Sequence, residues 1–249
     1  MFRTFPTRAI ITKSFWIDVP INRLAAQLHI RPKFETFLSA DTKVLSVNGF
    51  PRSGNTSLWF LLESAKKTNT KLLSHAHDVI DLKIQLVNGS VCLVPFRNPI
   101  ETIASLAVYR STENDDRAIR TYLKSWILWH SMSLKLLSYS NLHFVEFNEI
   151  KKDLGSILNW ISLDAFINHS FIYNEDEFRA NMEKELSTHD GQGYNSNGTQ
   201  PFRTISMPNI SRDAILEDLK SKITNDDKLS ELREEATSIY QSLVDRINR

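Results

Sequence analysis

Residues 44–63 read VLSVNGFPRSGNTSLWFLLE: an apolar run, a turn bounded by two glycines, and a second apolar-rich segment. The run KVLSVNGF (43–50) has the character of a buried strand, and NTSLWFLLESAKK (55–67) that of a helix directly after it. Between them, Gly49 to Thr56 matches the phosphate-loop pattern G-x-x-x-x-G-K-[ST] at both glycines and at the hydroxyl. The lysine position is Asn55. A strand that turns sharply into a helix aims backbone N–H groups and the positive end of the helix at an anion. Without the lysine, the β- and γ-phosphates of ATP lose their main charge partner, and Arg52 inside the loop supplies a different cation.

Outward from this stretch the pattern of strand and helix repeats. TKLLSHAH (70–77) reads as a strand and 78–89 as a helix with Asp78 as N-cap; SVCLVPF (90–96) is a strand of buried type. PIETIASLAVYRS (99–111) is a helix with proline in its first turn, and 114–139 is mostly helical. NLHFVEF (141–147) is a further strand, followed by a helix over 149–162. The alternation predicts a single α/β domain over 1–249: three α/β/α layers around a parallel sheet, similar to the nucleotide-kinase-like architecture. A short helix is expected at 21–30. The stretch 187–210 is polar and glycine-rich and reads as a long loop, and 211–249 returns to amphipathic helix. There, Leu229, Leu232, Ala236, Ile239, Leu243 and Ile247 recur at spacings of three and four, the signature of a helix packed on the core.

Composition narrows the function. The formal net charge is +1 over 249 residues, with both signs spread along the chain, so no global field attracts nucleic acid and an anion site must be local. The single cysteine, Cys92, has no internal disulfide partner. No apolar run approaches the roughly 18 residues of a membrane-crossing helix, and the N-terminal segment lacks the apolar core of a secretory signal. The expected location is cytoplasmic.

A second element matches the first. In RNPIETIAS (97–105), Arg97 follows a strand, Pro99 starts a helix and Ser105 lies on its second turn. An arginine fork and a hydroxyl together suit a terminal phosphate. FPRSGNTSL resembles the 5′-phosphosulfate loop of the sulfotransferases that use 3′-phosphoadenosine 5′-phosphosulfate (PAPS). RNPIETIAS resembles the same family's 3′-phosphate motif, Arg-Asn-Pro-x-Asp-x-x-x-Ser, with Glu101 in the place of aspartate. SWILWH (125–130) and FNEIKKDLGSILNWIS (147–162) are similar to further family segments, the latter with Phe147 where the family has tyrosine. The resemblance spans about residues 43–165.

The resemblance implies that Arg52 contacts the transferring sulfuryl group, and that Ser53, Gly54, Asn55, Thr56 and Ser57 cradle the 5′-phosphate. Arg97 and Ser105 would hold the 3′-phosphate. It places the base for the acceptor's proton at His75, with His77 two residues on and on the same face of an extended strand. No metal is implied. The loop at 187–210, with Arg203, stands in for the family's C-terminal Arg-Lys-Gly motif. Two other readings stand beside it: a phosphate-loop kinase without its lysine, needing ATP and Mg²⁺, and a non-catalytic nucleotide-binding or scaffolding protein that keeps the Arg97 and Ser105 contacts but lacks turnover. The acceptor has no motif.

Overall fold

The computed structural model describes residues 43–73, 77–160, 163–178, 180–181 and 210–247. The helix expected at 21–30, the loop at 187–210 with Arg203 (save Ile210, which begins a helix), and His75 lie outside them. The described chain alternates as expected: β1 (Lys43–Val47), α1 (Asn55–Ala65), β2 (Thr70–Leu73), α2 (Val79–Val87), β3 (Val91–Phe96), α3 (Pro99–Arg110), α4 (Asp116–Leu134), β4 (Leu142–Glu146) and α5 (Phe147–Lys152). After them come α6 (Ile210–Asn225) and α7 (Ser230–Ile247).

The four strands form one parallel sheet in the order β2-β1-β3-β4, with Leu45 opposite Leu72 and Val91, and Val94 opposite Phe144. Parallel strands need crossover helices, and these cover both faces. The period of two is visible in β3 and β4. Cys92, Val94, Phe96, Leu142 and Phe144 face one core, shared with α2, α3, α4, α6 and α7. Leu93 and Val145 face the other, with Leu45, Val47, α1 and the segment 150–167. The α/β/α three-layer architecture read from the sequence is the one observed. Burial pushes the Cys92 thiol up to about 12, against an opposing effect of the nearby Ser46 hydroxyl. Cys92 is therefore a core residue without thiolate character.

The caps explain where the helices begin. Asp78 accepts a bond from the Ile80 N–H, Asn98 from those of Ile100 and Glu101 ahead of Pro99 at the first position, and Asp115 from that of Ala118. Two expectations are corrected. The strand read over 70–77 is Thr70–Leu73, and His77 lies outside it. The helix predicted over 149–162 stops at Lys152, because Asp153 leaves helical geometry (φ −154°, ψ 87°) and caps a 3-10 turn, Leu154–Asn159, through Ser156 N–H. Leu229, Ala236 and Leu243 are buried, and Leu232, Ile239 and Ile247 pack against the same core, so the C-terminal stripe is packing as expected. Among the described residues, no helix is long and apolar enough to cross a membrane.

The strand order matters for function. The chain steps from β1 to β2, then crosses back to place β3 on the other side of β1. Ligands of open parallel sheets bind beyond the carboxyl ends of strands at such a reversal. The loop after β1 and the arginine after β3 flank that point.

Candidate functional site

The loop leaves β1 through Gly49, and its glycine is required by proximity. A Cβ there would lie 2.4 Å from the Pro95 carbonyl oxygen of β3. Pro95 itself has no N–H to offer the neighbouring strand, and β1 pairs with β3 only as far as Leu93. The absent donor thus falls where the chain has already turned away. At the other end of the loop, Gly54 takes φ +96° as N-cap of α1, and a Cβ there would meet the Phe147 ring at 2.7 Å.

Asn55 answers for the missing lysine. It is buried, and its side-chain oxygen accepts the Gly49 N–H at 2.7 Å while its Nδ2 donates to the carbonyls of Phe50 (2.9 Å) and Gly49 (3.3 Å). The amide ties the two ends of the loop together from inside. Asn55 therefore has only its backbone N–H to offer an anion. The next helical N–H groups, those of Thr56 and Ser57, precede the first intrahelical bond, from Leu58 N–H to the Gly54 carbonyl. Ser53 is turned inward: its N–H donates to the Phe50 carbonyl at 3.3 Å, and its buried hydroxyl has no hydrogen-bond partner among the described residues.

The two motif elements meet. Arg52, held at φ 70°, donates from Nε to the Ser105 hydroxyl at 3.1 Å and sits over the Tyr109 ring at 5.2 Å. Positive φ is uncommon for a residue with a Cβ and concentrates at functional sites. Arg97 donates from Nε to Glu101 Oε2 at 2.7 Å, with its guanidinium 4.4 Å from the Phe147 ring centre. Glu101, Ser105 and Tyr109 are successive four-residue steps along α3, one stripe that receives both arginines. Arg52, Ser53, Gly54, Asn55, Thr56 and Ser57 thus share one loop with Arg97 and Ser105 beside it.

On the β2 side, His77 Nδ1 carries the proton and donates to the Gly49 carbonyl at 2.7 Å, since a carbonyl can only accept. Asn48 Nδ2 donates to the Asp78 carbonyl at 3.3 Å, fixing the start of α2 against the loop. Asp78 is exposed at the helix start, yet partial desolvation of its carboxyl raises its pKa; desolvation with the neighbouring Asp78 charge raises half-buried Asp81 to about 6. On the β4 side, Tyr240 of α7 donates its hydroxyl to Glu146; burial, then Glu146 and Glu101, push its own titration upward.

Sequence reasoning missed the bracing shell: Phe147 and Tyr109 under the guanidinium groups, His77 on the loop carbonyl, and Glu101 on Arg97. The signal for Tyr109 and Glu101 was their four-residue spacing from Ser105. Nothing in the local sequence signals that the Phe147 ring packs on Arg97, a contact made only through the pairing of β3 with β4. The chain matches no model of a known protein family and no curated protein.

Proposed function

We propose that the protein is a PAPS-dependent sulfotransferase that moves a sulfuryl group to a hydroxyl or amine. The observation that carries this reading is the 3.1 Å bond between Arg52 of the loop and Ser105 of α3, which joins the two anion-binding motifs at the reversal of the sheet. A ligand with phosphate groups at both ends of a ribose suits such a pair of sites.

In this reading, the loop's N–H groups and the start of α1 take the 5′-phosphate, and Arg97 with Ser105 takes the 3′-phosphate. The acceptor oxygen or nitrogen forms a bond to sulfur as the bond from sulfur to the bridging oxygen breaks. That oxygen keeps the electron pair and leaves as part of adenosine 3′,5′-bisphosphate. Arg52 stabilises the charge growing on it, and the acceptor's proton passes to His75. The absence of a lysine at Asn55 favours this chemistry over transfer from ATP, because a single 5′-phosphate needs less charge than a triphosphate.

The test is transfer of labelled sulfate from PAPS across a panel of alcohols, phenols, saccharides and amines. The expected result is transfer to at least one acceptor class, with Arg52→Met slower by about 100- to 1000-fold while nucleotide affinity changes little. Equal rates in the parent and Arg52→Met would remove Arg52 from the mechanism. Phosphoryl transfer from ATP and Mg²⁺ would replace the reading altogether.

A further inference from the structure

We propose that Glu101 is the positioning residue of Arg97, holding its guanidinium by Nε so that both Nη groups face the 3′-phosphate of the ligand. The inference rests on the reading above and names a residue that sets its ligand specificity.

Three observations carry it. The Arg97–Glu101 bond is made through Nε alone, at 2.7 Å, and among the described residues the Nη nitrogens have no hydrogen-bond partner. The guanidinium is fixed a second time by the Phe147 ring at 4.4 Å. Glu101 also occupies the third helical position of α3, where a carboxylate commonly reaches back to the N-cap N–H; here it turns to Arg97 instead. An unrestrained arginine loses much rotamer freedom when it captures an anion, and one already held in place loses less.

A carboxylate near an anion site also repels the anion, so the two effects predict opposite outcomes. Arg97 is the more buried of the pair, with its side chain 19% exposed against 37% for Glu101. The solvent-facing carboxylate is screened, whereas the orientation it imposes on the sheltered guanidinium is not. Orientation is therefore the larger effect.

The experiment is calorimetry with adenosine 3′,5′-bisphosphate and 5′-AMP on the parent, Arg97→Ala, Glu101→Ala and Glu101→Gln, with melting curves as a folding control. The ratio of the two affinities isolates the 3′-phosphate, and AMP affinity reports any general damage to the loop. The parent is expected to prefer the bisphosphate, and Arg97→Ala to erase that preference. Glu101→Ala should reduce the ratio about tenfold with AMP affinity unchanged, the scale on which outer partners of a ligand-binding group act. Glu101→Gln, which keeps an oxygen to accept from Nε, should restore the ratio to within about threefold of the parent. If Arg97→Ala erases the preference but Glu101→Ala keeps or raises it, the positioning role is overturned and the functional reading stands. A Glu101→Gln ratio as low as that of Glu101→Ala overturns it as well. A parent with no preference overturns the functional reading, and the positioning role with it.

Discussion

Asn55 decides how the loop works at the scale of a single residue. A lysine at this position would be a cation for a triphosphate; the asparagine is a buried clamp with three hydrogen bonds to Gly49 and Phe50. Asn55→Ala leaves the buried Gly49 N–H without its partner and takes one of two donors from each of the Gly49 and Phe50 carbonyls, which costs about 1 to 3 kcal/mol. Denaturant unfolding should show a lower midpoint with an unchanged slope. A midpoint equal to the parent's would mean that the loop does not depend on the clamp. Nothing in the string Gly-Phe-Pro-Arg-Ser-Gly-Asn-Thr reveals this inward turn, since an asparagine at a helix start is equally at home facing solvent. The loop's location was legible from its two glycines; the direction of each side chain was not, because it depends on Pro95 and Phe147 from other strands.

Among the elements, α4 and α2 carry a buried and a half-buried titratable group with opposite consequences for stability. His130 of α4 is fully enclosed, stacked on Trp126 with ring centres 3.9 Å apart, and burial lowers its pKa to about 3. The unfolded chain takes up this proton below about pH 6.5 and the folded chain does not, so stability falls as the pH falls from 6.5 towards 3. His130→Phe should remove about 2 kcal/mol of the parent's loss between pH 7 and pH 5, measured by urea unfolding. Asp81 of α2 works the other way. Its raised pKa means that the folded chain binds the proton first, so this group's contribution to stability declines as the pH rises from about 4 to about 6. Asp81→Asn should be more stable than the parent at pH 7 by about 1 to 3 kcal/mol and level with it at pH 4. Identical pH profiles for the parent and both variants would contradict the burial of these groups. Element type was legible almost throughout, because strand and helix patterns alternate and Asp78 and Pro99 announce their helices. The exception is Asp153, whose apolar neighbours Leu154, Ile157 and Leu158 keep a helical spacing while its own side chain caps a tighter turn.

At the scale of the whole molecule, the proposed function depends on a reversal in strand order that brings two sequence-distant motifs together. Parallel pairing of β3 between β1 and β4 sets Arg97 beside the loop, and α3 offers Glu101, Ser105 and Tyr109 along one stripe to both arginines. The alternating strand and helix pattern made the sheet legible, and the two motifs picked out the loop and Arg97, which the fold sets side by side. The acceptor side that the proposed function requires has no motif to mark it. The central claim is that this pair of sites holds a nucleotide with phosphates at both the 3′ and 5′ positions. Thermal unfolding with saturating adenosine 3′,5′-bisphosphate, compared with ATP and Mg²⁺ at equal concentration, tests it most directly. Stabilisation grows as RT ln(1 + [L]/Kd), so a ligand at about 100 times its Kd adds about 2.7 kcal/mol, a shift of several degrees. The account predicts that shift for the bisphosphate and little for ATP; a larger shift with ATP and Mg²⁺, or none with the bisphosphate, would contradict it.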